Sequence, residues 1–464
     1  MIATSLAEVA DLVGGRLGGI ERDAAERLVV DGPVVTDSRE AGPGSLYVAR
    51  VGESLDGHDF VGAARDAGAV AALTTRDVEA LPCVVVDDVQ EAFAALARSV
   101  ADRARDLTVV GITGSSGKTS TKDLLGSVLA DLGPTVAPVG SYNSEVGVPL
   151  TVTRVRDDTR FLVVEMGARG IGHIRYLTSM APPRIGVVLN VGTAHIGEFG
   201  SREAIATAKS ELVEALPADG LAVLNADDPF VRAMAARTPA RVVLVGEAPD
   251  ADVRAESVTL DDDGHPTFDV VVATGRVRVT LGLVGRHHVG NALSVAAVAL
   301  ECGMPLAGLP TSLGQARAVS RWRMEVTDRP DGVRVVNDAY NANPDSMAAA
   351  LRAVTALRGR GRTVAVLGTM LELGDESEEG HRGVGRLAGE LGVQLLVVVG
   401  EEARPMCAGA AESGLECTWV PDAEAAYEVL STRVAPGDVV LFKSSRDAGL
   451  RWLGERFAGT EKET

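Results

Sequence analysis

The chain has 464 residues, a length that suits about three domains of ~150 residues each. Its net charge of -19 repels polyanions, which excludes general DNA or RNA binding and adhesion to an anionic membrane surface. An aromatic fraction of 3% removes stacking platforms for single strands, so any phosphate chemistry must be local. Of the 45 basic residues only Lys118, Lys122, Lys209, Lys443 and Lys462 are lysines, so each is worth locating. Cys83, Cys302, Cys407 and Cys417 are widely spaced with no Cys-x-x-Cys pair, as ordinary reduced thiols would be, with no zinc cluster or disulfide framework expected. Residues 1–15 lack a basic leader and include Glu8 and Asp11, and no apolar run approaches the ~18 residues that cross a bilayer. A cytoplasmic protein without a membrane span is expected.

Residues 1–106 mix short strands and helices, and the charged stretch 97–106 reads as a run-out into a linker. From residue 107 apolar runs of strand length alternate with segments of helical period, the pattern of a parallel α/β sheet. Strands are expected at 107–113, 161–165, 185–191, 221–225 and 241–245, with helices at 119–130 and 201–216. Over 252–284 the pattern changes to alternating runs around Asp263-Gly264, as in antiparallel strands, and a helix at 291–302 follows. A second α/β series has strands at 333–336, 363–367, 395–399 and 439–442, with helices such as 346–357 and 423–430. The fold expected is α/β with three domains: a small α/β domain over 1–106, a central P-loop-type, mostly parallel sheet with a small β appendage over 107–320, and a Rossmann-like domain over 321–464. The tail 459–464 reads as disordered.

The strongest local signal is Gly111-Ile112-Thr113-Gly114-Ser115-Ser116-Gly117-Lys118-Thr119, set between a strand and a helix. A glycine-rich turn there aims backbone N–H groups at phosphates, Lys118 reaches the β/γ oxygens, and the Thr119 hydroxyl can ligate Mg²⁺. The strict Walker spacing requires glycine at 112, which is Ile112 here. Glu165 ends a strand at the same sheet edge, either as a second metal ligand or as a solvated strand end. His195, just past another strand, reads either as a ligand or as a hydrogen-bonded structural residue. Lys209 falls on the apolar stripe of its helix, between Ile205 and Val213. Burial there lowers its pKa and leaves an amine able to react with CO₂, and a lysine snorkelling from the stripe's edge is the alternative.

Together these residues resemble the Mur ligases, ATP-dependent amide-forming enzymes of peptidoglycan synthesis, over nearly the whole chain. The motifs that carry the resemblance are the loop 113–119, Glu165, Asn190-Val191-Gly192-Thr193-Ala194-His195, Ala208-Lys209-Ser210-Glu211, Asn225-Ala226-Asp227-Asp228 and His288-Val289-Gly290-Asn291. The resemblance implies ATP and Mg²⁺ as cofactors, with Lys118, Lys209 and His195 catalytic. It places Thr119, Glu165, His195 and a carbamylated Lys209 around the metal, with Asn291 holding adenine and loop residues 113–120, Ser120 included, around the phosphates. At the C-terminal end, Asp338 to Met347, Leu367 to Gly374 and Lys443-Ser444-Ser445-Arg446 resemble the branch that adds D-alanyl-D-alanine to UDP-N-acetylmuramoyl-tripeptide. Thr36-Asp37-Ser38-Arg39 with Asp56-Gly57-His58-Asp59-Phe60 resembles that branch's uridine-binding domain. The resemblance therefore implies Asp37, Ser38, Arg39, His58, Asn143, Asn341 and Lys443 as substrate contacts, in a monomer with no nucleic-acid partner. Ser444 and Thr369 depart from the branch, which usually has Gly and commonly Asp there.

The C-terminal residues also have a physical reading of their own. Asp338 follows a strand, where an acidic side chain in a nucleotide fold reaches ribose hydroxyls. Arg321 and Arg323 flank Trp322 at the domain junction, from which an arginine can reach ATP phosphates or simply face solvent. Asn341 and Asn343 fit either substrate contact or loop geometry, since Asn-Pro is a turn signal. Competing readings are a diamino-acid-adding ligase or a folate polyglutamate ligase of the same architecture and, from another class, a P-loop switch or a catalytically silent binding protein. Asn225-Ala226-Asp227-Asp228 is not the Asn-Lys-x-Asp that reads guanine, which weighs against a GTPase switch.

Overall fold

Successive side chains along Thr108–Thr113 and Phe161–Glu165 enter opposite layers: Val109, Leu162 and Val164 join one core, and Val110, Ile112, Phe161 and Val163 the other. A strand covered on both faces must be apolar throughout, which is why these segments read as unbroken runs. The computed structural model describes residues 1–52, 54–193, 196–357 and 361–461. Its nine-stranded central sheet places Thr108–Thr113 between Phe161–Glu165 and Ile185–Val188, both parallel to it. Leu221–Asn225 and Arg241–Gly246 extend the parallel part. Strand order therefore reverses at Thr108–Thr113, and α/β sheets bind ligands in the crevice beyond such a point.

The β appendage is an antiparallel continuation of this sheet. Val253–Leu260 pairs in parallel with Arg241–Gly246, then Pro266–Val272 and Gly275–Thr280 follow in antiparallel order. Ahead of the central sheet lies a five-stranded sheet in the order Arg16–Gly18, Cys83–Val85, Ala69–Thr74, Ser45–Val48 and Val34–Val35. Helix Val89–Arg103 occupies the stretch 97–106 as far as Arg103, and the non-helical residues 104–107 then join it to the central sheet. The helix's apolar face carries Phe93, Leu96 and Val100 into one core with Val148, Val152 and Leu162 of the central region.

The C-terminal sheet has six strands, in the order Glu325–Asp328, Arg334–Asn337, Val439–Lys443, Thr363–Leu367, Leu395–Val399 and Cys417–Val420, with only the first edge antiparallel. Helices Ser377–Glu390 and Pro405–Glu412 cross backbone to backbone on one face. A Cβ at Gly385 would lie 1.8 Å from Met406 O, and one at Gly409 the same distance from Arg382 O. Backbone cannot move aside as a flexible side chain can, so Gly385→Ala is expected to destabilise by about 1–3 kcal/mol. A thermal midpoint equal to wild type in calorimetry would contradict that crossing.

Four reduced thiols were expected, but Cys407 and Cys417 form a disulfide with Cα atoms 5.3 Å apart, while Cys83 and Cys302 are free. The chain turns back after helix Pro405–Glu412 and lays strand Cys417–Val420 beside it, a contact that a spacing in sequence does not reveal. Of the tail expected to be disordered, residues 462–464, and Lys462 with them, lie outside the described residues. No described helix is long and apolar enough to cross a membrane.

Candidate active site

Gly117 turns the chain from strand into helix Lys118–Ala130 with φ 82°, a left-handed conformation that favours glycine. No side chain caps this helix, which leaves its first N–H groups open to an anion. Asn190, beyond the neighbouring strand, steadies the loop: its Oδ1 accepts from Ser116 N at 2.9 Å and its Nδ2 donates to Ser116 O at 3.1 Å. The Ser115 hydroxyl accepts from Gly192 N at 2.9 Å. Lys118 Nζ donates to Gly114 O at 2.7 Å, folded over its own loop. Desolvation lowers its pKa, against an opposing pull from Glu165. Asn291 packs on the loop, since a Cβ at Gly117 would meet its Oδ1 at 2.9 Å.

Glu165, 1% exposed, ends its strand beside the loop. Its Oε2 accepts from Thr119 Oγ1 at 3.0 Å and its Oε1 from Asn143 Nδ2 at 2.7 Å. Ser141 Oγ lies 2.7 Å from the Thr119 hydroxyl. Adjacent ligands of an octahedral Mg²⁺ with bonds of ~2.0–2.1 Å are about 2.9 Å apart, so the Thr119 and Glu165 oxygens fit one edge of such a shell. Among the described residues no group of three His, Cys, Asp or Glu forms a metal cage. Lys209, 4% exposed, lies on the buried face of helix Arg202–Glu214. None of the described residues hydrogen-bonds its amine, and burial, with the Lys118 charge second, pushes its pKa well down. His195 lies outside the described residues.

The C-terminal sheet brings the opposing wall. Asp338 and Lys443 end adjacent strands: Lys443 Nζ donates to Asp338 Oδ2 at 2.5 Å, to Asn341 O at 3.0 Å and to Asp338 O at 3.3 Å. All three ammonium N–H groups are thus used within the protein. Asp338 Oδ1 accepts from Met324 N at 3.0 Å, so this carboxylate orders the linker as well as facing the cleft. Asn343 takes the loop-geometry reading, capping helix Pro344–Thr355 in a reciprocal box with Ser346. Asn341 is exposed and lines the cleft. The two linker arginines divide: Arg321 pairs with Glu455, while Arg323 donates to Ser141 Oγ at 3.0 Å and Thr119 Oγ1 at 3.2 Å. Ser444 is buried with its hydroxyl donating to Ser445 O at 3.0 Å, and its Cβ is tolerated because residue 368 is glycine. Thr369 presents its carbonyl to Ser445 N at 2.9 Å, a contact indifferent to the side chain at 369.

A cleft of about 530 Å³ joins the two walls and is lined by Gly114 to Ser120, Asn143, Glu165, Lys209 and Asn291 on one side and Arg323, Asp338, Asn341 and Lys443 on the other. Thr113 lies buried under the loop. Asp37, Ser38, Arg39 and His58 do not line this cleft. Asp37 and Arg39 pair with each other, which holds the Asp37 carboxyl down at about 2. Thr75 N donates to His58 Nε2 at 3.0 Å, so the proton sits on Nδ1, 2.6 Å from Asp56 Oδ1, and both ring nitrogens are taken. Sequence reasoning missed Ser141 and Asp345. Asp345 Oδ2 accepts from Thr193 N at 3.0 Å and so ties the loop after Ile185–Val188 to the C-terminal domain. Neither residue type signals such a role, because each gains it from a segment far away in sequence.

The chain matches the Mur ligase family catalytic domain over residues 33–107, the Mur ligase middle domain over 112–299 and the Mur ligase glutamate ligase domain over 322–446. It is 46% identical to the UDP-N-acetylmuramoyl-tripeptide--D-alanyl-D-alanine ligase of Mycobacterium tuberculosis strain H37Rv, over 97% of this chain and 96% of that one. Among solved structures it superposes on MurF from Acinetobacter baumannii with a TM-score of 0.87 at 29% identity, covering 98% of this chain and 99% of the other. MurF from Thermotoga maritima in complex with ADP gives a TM-score of 0.79 at 29% identity, covering 93% and 98%. With a phosphate loop, a facing C-terminal wall and a similarity that runs from end to end, the chain belongs to the Mur ligase family.

Proposed function

We propose that this protein is an ATP-dependent ligase of peptidoglycan precursor synthesis that joins D-alanyl-D-alanine to UDP-N-acetylmuramoyl-tripeptide, giving ADP and phosphate. The observation that carries the reading is the cleft itself, where an open phosphate loop faces the Asp338–Lys443 wall in a chain similar over 97% of its length to a ligase named for that reaction. ATP lies with its phosphates on residues 113–120, its adenine against Asn291 and its ribose toward Asp338. A carboxylate oxygen of the tripeptide bonds to the γ-phosphorus as the bond to the β-phosphate oxygen breaks, leaving ADP and an acyl phosphate. The neutral amine of the dipeptide then bonds to the acyl carbon, its proton passes to solvent, and phosphate leaves.

Within this scheme Lys118 leaves the Gly114 carbonyl for the phosphate oxygens, and Arg323 reaches the same charge from the linker. Asp345, held to Thr193, keeps the two walls together and water away from the acyl phosphate. Thr119 and Glu165, with His195 and a carbamylated Lys209, would hold Mg²⁺. When bound, that ion supplies positive charge to the transferring phosphoryl group. Asp37, Ser38, Arg39 and His58 belong to the domain proposed to take the uridine end, and Asn143, Asn341 and Lys443 lie where the peptide and dipeptide would meet. A nucleotide-linked substrate used together with ATP points to the cytoplasm as the place of action.

The test is amine-dependent phosphate release from ATP and UDP-N-acetylmuramoyl-tripeptide. D-alanyl-D-alanine is expected to stimulate release by at least about tenfold over diamino acids or glutamate, the discrimination that a missing set of specific contacts confers. Equal stimulation by a diamino acid, or release that needs no amine, would overturn the assignment.

A further inference from the structure

Lys122 is fully buried, three residues beyond Thr119 on the phosphate-loop helix, and does not line the cleft. Its ammonium donates to the Asp123 carboxylate, to Pro138 O at 2.6 Å and to Ser320 Oγ at 3.0 Å. Asp123 Oδ1 accepts from Ser320 Oγ at 3.1 Å, and its Oδ2 accepts from Ser320 N at 2.9 Å and Val319 N at 3.2 Å. Ser320 Oγ also accepts from Gly140 N at 3.3 Å. A hydroxyl has one donor and two lone pairs, and here all three are engaged. Three segments are locked at one point: the phosphate-loop helix, residues 138–140 and the linker at 319–320.

Two of these segments lead straight into the cleft. Ser141 follows Gly140, and Arg323 stands three residues past Ser320, with its guanidinium on Ser141 Oγ and Thr119 Oγ1. The backbone around Arg323 is in an unusual conformation: Trp322 has φ 58° and Met324 has φ 52°. Side-chain-bearing residues hold that region only where their surroundings dictate it. On the far side the linker is fixed by Met324 N donating to Asp338 Oδ1. Arg323 is therefore presented on a turn anchored at both ends, and the anchor on the phosphate-loop side is the Lys122–Asp123–Ser320 cluster. Buried ion pairs are a poor means of adding stability compared with apolar packing, and a good means of selecting one arrangement.

We propose that Lys122, Asp123 and Ser320 form a positioning clamp that fixes the interdomain linker to the phosphate-loop helix and so sets where Arg323 meets Thr119 and Ser141. The inference rests on the reading of Arg323 as a ligand of the ATP phosphates. Its test is a double-mutant cycle of Ser320→Ala and Arg323→Ala, read as kcat and as KM for ATP and for the dipeptide. Ser320→Ala removes the hydroxyl and keeps the ion pair. It is expected to lower kcat/KM for ATP about tenfold, the scale of hydrogen bonds to charged partners, with KM for the dipeptide unchanged. In an Arg323→Ala background the same substitution should change little, because both act through one contact. Ser320→Cys keeps the volume, weakens the hydrogen bonds and repeats the measurement should Ser320→Ala fold poorly. A defective Arg323→Ala with an absent or fully additive effect at Ser320 overturns the clamp alone. A wild-type Arg323→Ala overturns the reading of Arg323 and the clamp with it.

Discussion

Lys118→Ala is expected to lower amine-dependent phosphate release by about 10³-fold, the upper range for removing one preorganised charge from a developing anion. The thermal midpoint should shift by only a few degrees, because the side chain is only partly buried and its one hydrogen bond in this structure goes to its own loop. The reason for the large kinetic effect is the charge balance of the cleft. Glu165 is buried beside the loop and the chain as a whole is strongly acidic, so a polyphosphate enters a region whose background field opposes it. Lys118 lies on the loop itself, and Arg323 comes to it from the facing wall, donating to Thr119 and Ser141. Lys118→Arg should recover little, since a planar guanidinium needs more room than the turn at Gly114 and Gly117 offers. The check is turnover at saturating ATP together with calorimetric ATP binding; turnover within about tenfold of wild type would remove Lys118 from its assigned role.

How far the sequence discloses such a site depends on whether the information is local. Phe161–Glu165 and Thr363–Leu367 begin and end where the apolar runs do, because burial on both faces leaves no polar residue inside a strand to blur its ends. The phosphate loop was legible for the same reason, since its chemistry is carried by consecutive residues. Helix Val89–Arg103 was obscured because half of its surface is charged and solvated. Long-range partners were invisible. Lys443 reads as a strand-end lysine free to meet substrate, yet it is bound to Asp338, 105 residues away. Arg321 and Arg323 are indistinguishable as a pair flanking Trp322, and the left-handed turns at 322 and 324 decide which one enters the cleft. Lys122 stood out only as one of five lysines, and its burial gave no signal, because it is created by a linker 198 residues downstream.

Lys209 presents the opposite case, a residue whose oddity was local and whose explanation is not. Helix Arg202–Glu214 buries Ile205, Ala208, Leu212 and Val213, and Lys209 sits among them rather than snorkelling from the edge. Holding an ammonium there is costly, and desolvation together with the nearby Lys118 charge drives the group toward the neutral amine. A neutral amine can attack CO₂, forming an N–C bond and releasing one proton, and the resulting carbamate is an anion whose charge opposes that of Lys118. Lys209→Met tests this cleanly, because it keeps the length of the side chain and replaces a buried polar head without a hydrogen-bond partner among the described residues by an apolar one, so the fold should be as stable as wild type or more so. Turnover is expected to fall about 10²-fold, the scale for losing a group that orients a metal site, with partial recovery on adding formate or acetate. Independently of activity, wild-type protein equilibrated with ¹³C-bicarbonate should show a carbamate carbon signal that is missing from Lys209→Met. Undiminished turnover in a well-folded Lys209→Met, or the same ¹³C signal in both proteins, would leave Lys209 as a buried lysine with no part in the reaction.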